Sequence, residues 1–130
     1  MNGINGKRRK NMKLADIKET LHAEVIVGHE DLNEHVTAGT GSDLMSDILR
    51  GPTSGVLLLT GLNNIQVIRT AVIAGVKAVV LVRGKMPSSE MINHARDHKL
   101  PLLSTPFTMY SSCGRLFGKG LRGVEQKVSR

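Results

Sequence analysis

A chain of 130 residues has the length of one domain, and its 40% hydrophobic content supports one core, necessarily aliphatic because Phe107, Tyr110 and Phe117 are the only aromatics. No apolar run approaches the roughly 18–20 residues of a membrane span, no signal-peptide core follows Lys7-Arg8-Arg9-Lys10, and the lone Cys113 excludes an internal disulfide framework, so a cytoplasmic chain with no membrane role is expected. The net charge of +7 is concentrated at the ends: residues 1–13 hold five bases and no acid, 115–130 hold five bases and Glu125, and 14–114 hold eight bases against ten acids.

Residues 1–11 are polar, Gly-containing and aperiodic, and are expected to form a disordered basic extension. Residues 12–120 are expected to form the folded domain and 121–130 a flexible basic tail. Leu14, Ile17, Lys18 and Leu21 recur at helical spacing and predict a helix over 13–22. Ala23 to Val27 reads as a short strand closed by Gly28, and Val36-Thr37-Ala38-Gly39 as a second short extended piece. Gly39-Thr40-Gly41 is expected to break the chain. Ser42 then reads as the N-cap of a helix with Asp43 in its first turn, Leu44, Met45, Ile48 and Leu49 as its apolar stripe, and its end near Gly51-Pro52.

The strongest fold signal lies in Val56-Leu57-Leu58-Leu59 and Ala78-Val79-Val80-Leu81-Val82. Both are short apolar runs without alternation, the pattern of strands buried on both faces. Between them Ile65, Ile68, Ala71 and Val72 predict a helix over 64–74 that stops at Gly75. Strand, helix and buried strand make a parallel crossover unit. The rhythm repeats with a helix capped by Ser88 and running to about Lys99, a strand at Leu102-Leu103, and a last helix capped by Thr105 or Thr108 and carrying Tyr110, Leu116 and Phe117. The expected fold is a layered α/β/α domain with a mostly parallel central sheet.

Ligands of such sheets sit beyond the carboxyl ends of the strands, where helix N-termini and exposed N–H groups favour anions. Thr60-Gly61-Leu62-Asn63-Asn64, Arg83-Gly84-Lys85 and Ser104-Thr105-Pro106 have that address, and Gly39-Thr40-Gly41-Ser42-Asp43 can join them. The same residues also make ordinary turns and caps. Phosphate motifs fail on inspection. Gly39 to Leu44 lacks the last glycine of a dinucleotide fingerprint, and Gly118-Lys119-Gly120-Leu121-Arg122-Gly123 matches it but follows a helix instead of a strand. Gly114 to Gly120 has the wrong glycine spacing for a P-loop and no Ser or Thr after its lysine. His94 and His98 share a helix face without further ligands at zinc-motif spacing, so solvated residues and no metal are expected. Cys113 reads as a small buried residue. No catalytic constellation is present.

Ala23-Glu24-Val25-Ile26-Val27-Gly28, Asn33-Glu34-His35-Val36-Thr37-Ala38-Gly39, Gly41-Ser42-Asp43-Leu44-Met45-Ser46-Asp47, Arg83-Gly84 with Pro87-Ser88, and Leu100 to Thr108 together resemble the DRTGG domain, which is similar in fold to the N-terminal domain of HPr kinase/phosphorylase. The resemblance covers about residues 13–120. Asn33 and Glu34 stand where an Asp-Arg pair is typical, and Ala38 replaces the first glycine of the pair. Such domains occur alone, beside CBS domains, or ahead of phosphotransacetylase or pyrophosphatase domains. That implies a non-catalytic regulatory or ligand-sensing role as a homodimer, with a nucleotide or phosphometabolite ligand or a partner enzyme, and no cofactor. The P-loop of full HPr kinases belongs to a separate domain, so kinase chemistry is not implied. The expected ligand contacts are Thr37, Gly39, Thr40, Gly41, Ser42, Asp43, Thr60, Gly61, Asn63, Arg83, Gly84, Ser104 and Thr105. The alternatives are a nucleic-acid-associated regulator using the basic ends, disfavoured by the lack of a basic stripe or stacking aromatics in the body, and a small phosphotransferase.

Overall fold

A computed structural model describes residues 11–125; the expected extension, apart from Asn11, lies outside the described residues. In chain order the elements are β1 (Met12–Lys13), α1 (Leu14–Thr20), β2 (Glu24–Val27), a 3-10 turn (His29–Asp31), β3 (His35–Val36), β4 (Gly39–Gly41), α2 (Met45–Arg50), β5 (Leu57–Thr60), α3 (Ile65–Ala74), β6 (Ala78–Leu81), α4 (Ser89–Asp97), β7 (Leu102–Ser104) and α5 (Met109–Gly118). One sheet has the order β2-β7-β6-β5-β4. Its neighbours run parallel except β2, which is antiparallel to β7. β1 and β3 form a separate antiparallel pair with Met12 opposite Val36.

The two unalternating runs become β5 and β6 in the middle of the sheet, where helices cover both faces. Leu57, Leu59, Ala78 and Val80 join Leu14, Ile17 and Leu21, from α1 and the turn after it, and Leu116 of α5 in one core layer. Leu58, Val79 and Leu81 join Ile48 of α2, Val67, Ile68 and Ala71 of α3, and Met91 and Ala95 of α4 in the other. Successive strand side chains point to opposite faces, so a strand clothed on both sides has no polar positions to alternate. Side-chain caps fix the helix starts: Asn64 accepts from the Val67 N–H, Ser88 from Met91 and Thr108 from Ser111, each at 3.2 Å. Gly75, at φ 74°, takes the left-handed turn that ends α3.

The structure departs from the sequence expectations at several elements. Gly39-Thr40-Gly41 is a strand, not a break, with Gly39 opposite Leu57 and Gly41 opposite Leu59. The glycines serve close packing: a Cβ on Gly39 would lie 3.1 Å from Leu121 Cδ2, and one on Gly41 2.9 Å from Met109 Sδ. The helix expected from Ser42 starts at Met45 instead. The Ser42 hydroxyl accepts from the Leu44 N–H at 3.0 Å in a local turn, Asp43 stays outside the helix, and Leu44 and Leu49 are exposed while Ile48 alone is buried. On α5, Ser112 and Leu116 face inward, and Tyr110 and Phe117 are exposed. Finally, the tail expected from 121 begins inside the packed body, because Leu121 is 4% exposed and the Gly39 N–H donates to the Arg122 carbonyl at 2.9 Å.

Candidate functional site

The parallel strands β4, β5, β6 and β7 end at one edge of the sheet, and the antiparallel β2 begins there. The ladder continues past the strand ends into the loops: Ser42 N–H donates to Leu59 O, Val82 N–H to Thr60 O and Thr105 N–H to Leu81 O, at 3.0, 3.0 and 2.9 Å. The Leu21-His22 turn ahead of β2 shares this rim. It is fastened by the buried Thr105 hydroxyl, which donates to the Leu21 carbonyl at 2.6 Å. Thr105 is thus a bridge between loops and not the helix cap, a role that Thr108 takes.

Four of the expected contact residues converge tightly. Asp43 Oδ1 accepts from the Gly61 N–H at 2.6 Å and from the Thr60 hydroxyl at 3.2 Å. Gly61 leaves room for two charged groups at once, since a Cβ there would lie 3.1 Å from Arg83 Nη2 and 3.3 Å from Asp43 Oδ2. Arg83 and Gly84 both adopt left-handed backbone, φ 62° and 69°, an arrangement uncommon for a non-glycine residue. The rim amides are already used: Arg83 N–H donates to Phe107 O at 2.8 Å and Gly84 N–H to Thr105 O at 2.7 Å. Ser104 Oγ donates to Lys85 O at 2.6 Å and Asn63 Nδ2 to Met86 O at 3.0 Å. The N–H groups of Gly61, Arg83, Gly84 and Thr105 are therefore spent on holding the loops together. What the rim offers a ligand is the exposed Arg83 guanidinium beside the Asp43 carboxylate, one able to bind a phosphate and the other to accept from a hydroxyl.

The remaining expected residues do not gather there. Gly39, Thr40 and Gly41 line a cavity of about 180 Å³ between β4, α5 and the C-terminal segment. Thr37 lies at the other end of the sheet, where its N–H and hydroxyl both donate to Gly55 O, at 3.1 and 3.3 Å. Cys113 is exposed as a residue, not buried as expected. A Cβ on Gly41 would nonetheless lie 3.3 Å from its Sγ, and partial desolvation raises the thiol pKa.

A cleft of about 700 Å³ that sequence reasoning missed lies at the amino ends of β6 and β7. Glu30, Asp31 and Glu34 line it opposite Lys77, Arg96 and Lys99. Lys77 Nζ donates to Glu34 Oε1 at 2.7 Å, and that contact holds the Glu34 carboxyl below its ordinary pKa. No sequence motif marks this cleft, because its walls come from three separate connections. His94 and His98 stack with ring centroids 4.3 Å apart. Among the described residues, no group of three or more His, Cys, Asp or Glu is placed to hold a metal ion, and no helix is long and apolar enough to cross a membrane.

A family model described as the DRTGG domain matches residues 16–117. Among solved structures, the chain is similar to the crystal structure of the CBS and DRTGG domains of the regulatory region of Clostridium perfringens pyrophosphatase, complexed with its activator diadenosine tetraphosphate. The TM-score is 0.69 at 19% identity, over 88% of this chain and 50% of that one. The chain thus spans half the length of that structure, and at this identity the likeness is one of fold. No curated protein matches the chain.

Proposed function

Because the chain belongs to the DRTGG domain family, we propose that it is a non-catalytic regulatory domain that senses a phosphorylated or nucleotide-like metabolite, acting in the cytoplasm as a homodimer or on a partner enzyme. The fold supports a regulatory reading, since it is that of part of an enzyme's regulatory region. The activator bound there belongs to a region with CBS domains as well, so the ligand argument for this chain rests on its own residues.

The observation that carries it is that the Arg83 guanidinium and the Asp43 carboxylate both flank Gly61. A guanidinium takes two phosphate oxygens through parallel N–H groups, while the adjacent carboxylate accepts from sugar hydroxyls. That combination suits a nucleotide or sugar phosphate better than a bare anion, which Asp43 would repel. Ser42, Thr60, Asn63, Gly84, Ser104 and Thr105 serve by fixing the loops that present this pair. Catalysis is not part of this reading: the Thr60, Ser104 and Thr105 hydroxyls at the rim are committed to structural hydrogen bonds. No ATP turnover is expected of the purified chain.

A thermal-shift panel of adenine nucleotides, dinucleoside polyphosphates and sugar phosphates tests the proposal. A ligand present at about 100 times its Kd adds about 2.7 kcal/mol of stability, which raises Tm by several degrees. Arg83→Ala is expected to abolish that rise while leaving the unliganded Tm within about 2 °C, as for an exposed side chain. Absence of any shift across the panel would eliminate the small-ligand role and leave the partner protein.

A further inference from the structure

We propose a second binding site, for a phosphate group, in the pocket formed by His22, Arg115 and Lys119. It lies where the turn between α1 and β2 meets the outer face of α5. The pocket measures about 280 Å³ and is lined by Glu19, Thr20, His22, Arg115 and Lys119. That is below the roughly 300–1,000 Å³ of pockets for drug-sized ligands, and it suits inorganic phosphate, pyrophosphate or one phosphate group of a larger molecule.

Arg115 is held ready for such a contact. Its guanidinium carbon sits 3.9 Å from the centroid of the Phe107 ring, and Nη1 donates to the Thr20 carbonyl at 3.4 Å. The aromatic platform and this long hydrogen bond restrict the guanidinium, so less side-chain entropy is left to lose on binding. The platform is fixed in turn, because Phe107 O accepts from the Arg83 N–H and Phe107 N–H donates to the Thr105 hydroxyl. His22 packs on the same ring, with centroids 5.2 Å apart and planes tilted by 55°. Its backbone is left-handed at φ 48°, the conformation in which the chain turns sharply from α1 into β2. Among the described residues, neither Arg115 nor Lys119 has a carboxylate within 4.0 Å. Arg115, held in place, and the exposed Lys119 thus outnumber Glu19, the acid on the lining, and among the described residues the other guanidinium N–H groups of Arg115 have no hydrogen-bond partner. A phosphate group supplies the missing charge and the acceptors together. The site is independent of the Arg83–Asp43 pair and stands or falls apart from the ligand proposed for the rim.

The test is a titration of the full chain with inorganic phosphate, and separately with pyrophosphate, followed by heteronuclear NMR. Saturable shifts are expected at the Arg115 side-chain N–H and the His22 ring. Arg115→Gln should weaken binding by about tenfold or more, as for the loss of a charge-assisted contact. Lys119→Gln, at an exposed position with no side-chain hydrogen bond among the described residues, should weaken it without lowering Tm, which keeps the test decisive if Arg115→Gln fails to fold. Tighter binding of pyrophosphate than phosphate would identify the ligand as a phosphate chain, and equal binding as a single group. Absence of saturable shifts overturns the site, as do shifts confined to Lys7-Arg8-Arg9-Lys10 or affinities unchanged in both variants.

Discussion

The Thr105 hydroxyl donates to the Leu21 carbonyl at 2.6 Å across 84 residues of sequence, and neither group has access to water at that depth. Thr105→Val keeps the shape, removes the donor and leaves the carbonyl without its partner. An unsatisfied buried group of this kind costs about 1–3 kcal/mol. The urea midpoint is expected to fall accordingly with an unchanged slope, and an unshifted midpoint would mean that the rim loops are held by other contacts. Glu34 contrasts with it. Its folded pKa is lowered by Lys77, so the stability it contributes is present above the ordinary carboxylate range and fades as the pH falls through the lowered value. The pair is solvent-exposed, and salt screens it. One hydrogen bond is structural because it is dry; the other is nearly free to break.

Among the elements, β4 and the segment after α5 depend on each other. β4 is an edge strand of three residues, two of them glycine, which is poor material for a strand. Its stability comes from its neighbours: the parallel ladder to β5 on one side, and Leu121, Arg122 and Gly123 on the other, with a bridge from Gly39 to Gly123. Leu121→Ala is expected to cost about 2–3 kcal/mol through lost burial and the cavity left behind, measured by equilibrium denaturation. Leu49→Ala on α2, equally apolar but 54% exposed, should change stability by no more than about 0.5 kcal/mol. If the two variants behaved alike, the C-terminal segment would not belong to the cooperative unit. Its packing also gives that segment a place beside β4, where a rigid edge helps hold Asp43 against Gly61.

For the molecule as a whole, the proposed homodimer requires a surface that a second copy covers. Ile73 on α3 and Tyr110 on α5 are 77% and 90% exposed; they lie on helices packed against opposite faces of the sheet, so one two-fold interface would use one of them. Sedimentation of the full chain is expected to show a dimer at micromolar concentration. Either Ile73→Glu or Tyr110→Glu, but not both, should shift it to the monomer with little effect on folding. A monomer throughout, or a dimer untouched by either change, would redirect the regulatory reading toward a partner enzyme.

Hydrophobic pattern and cap residues were enough to read the layered architecture, the central pair of strands, the helix expected over 64–74 and the helix capped by Ser88. These depend on local periodicity and on side chains bonding backbone within three residues, both of which are written along the chain. The loops following β5 and β6 were placed at one edge for the same reason, since parallel strands joined by helices must end together. The tertiary structure alone decided the rest. It made a strand of Gly39-Thr40-Gly41, turned β2 against the others so that His22 joined the rim, and buried Leu121. It also set Asp43 on the Gly61 amide, which took that N–H from the expected anion cradle and placed a carboxylate near Arg83. Each of these depends on contacts between residues at least 18 positions apart, and the energy of such a contact is fixed by which surfaces meet, a property that no stretch of sequence carries locally.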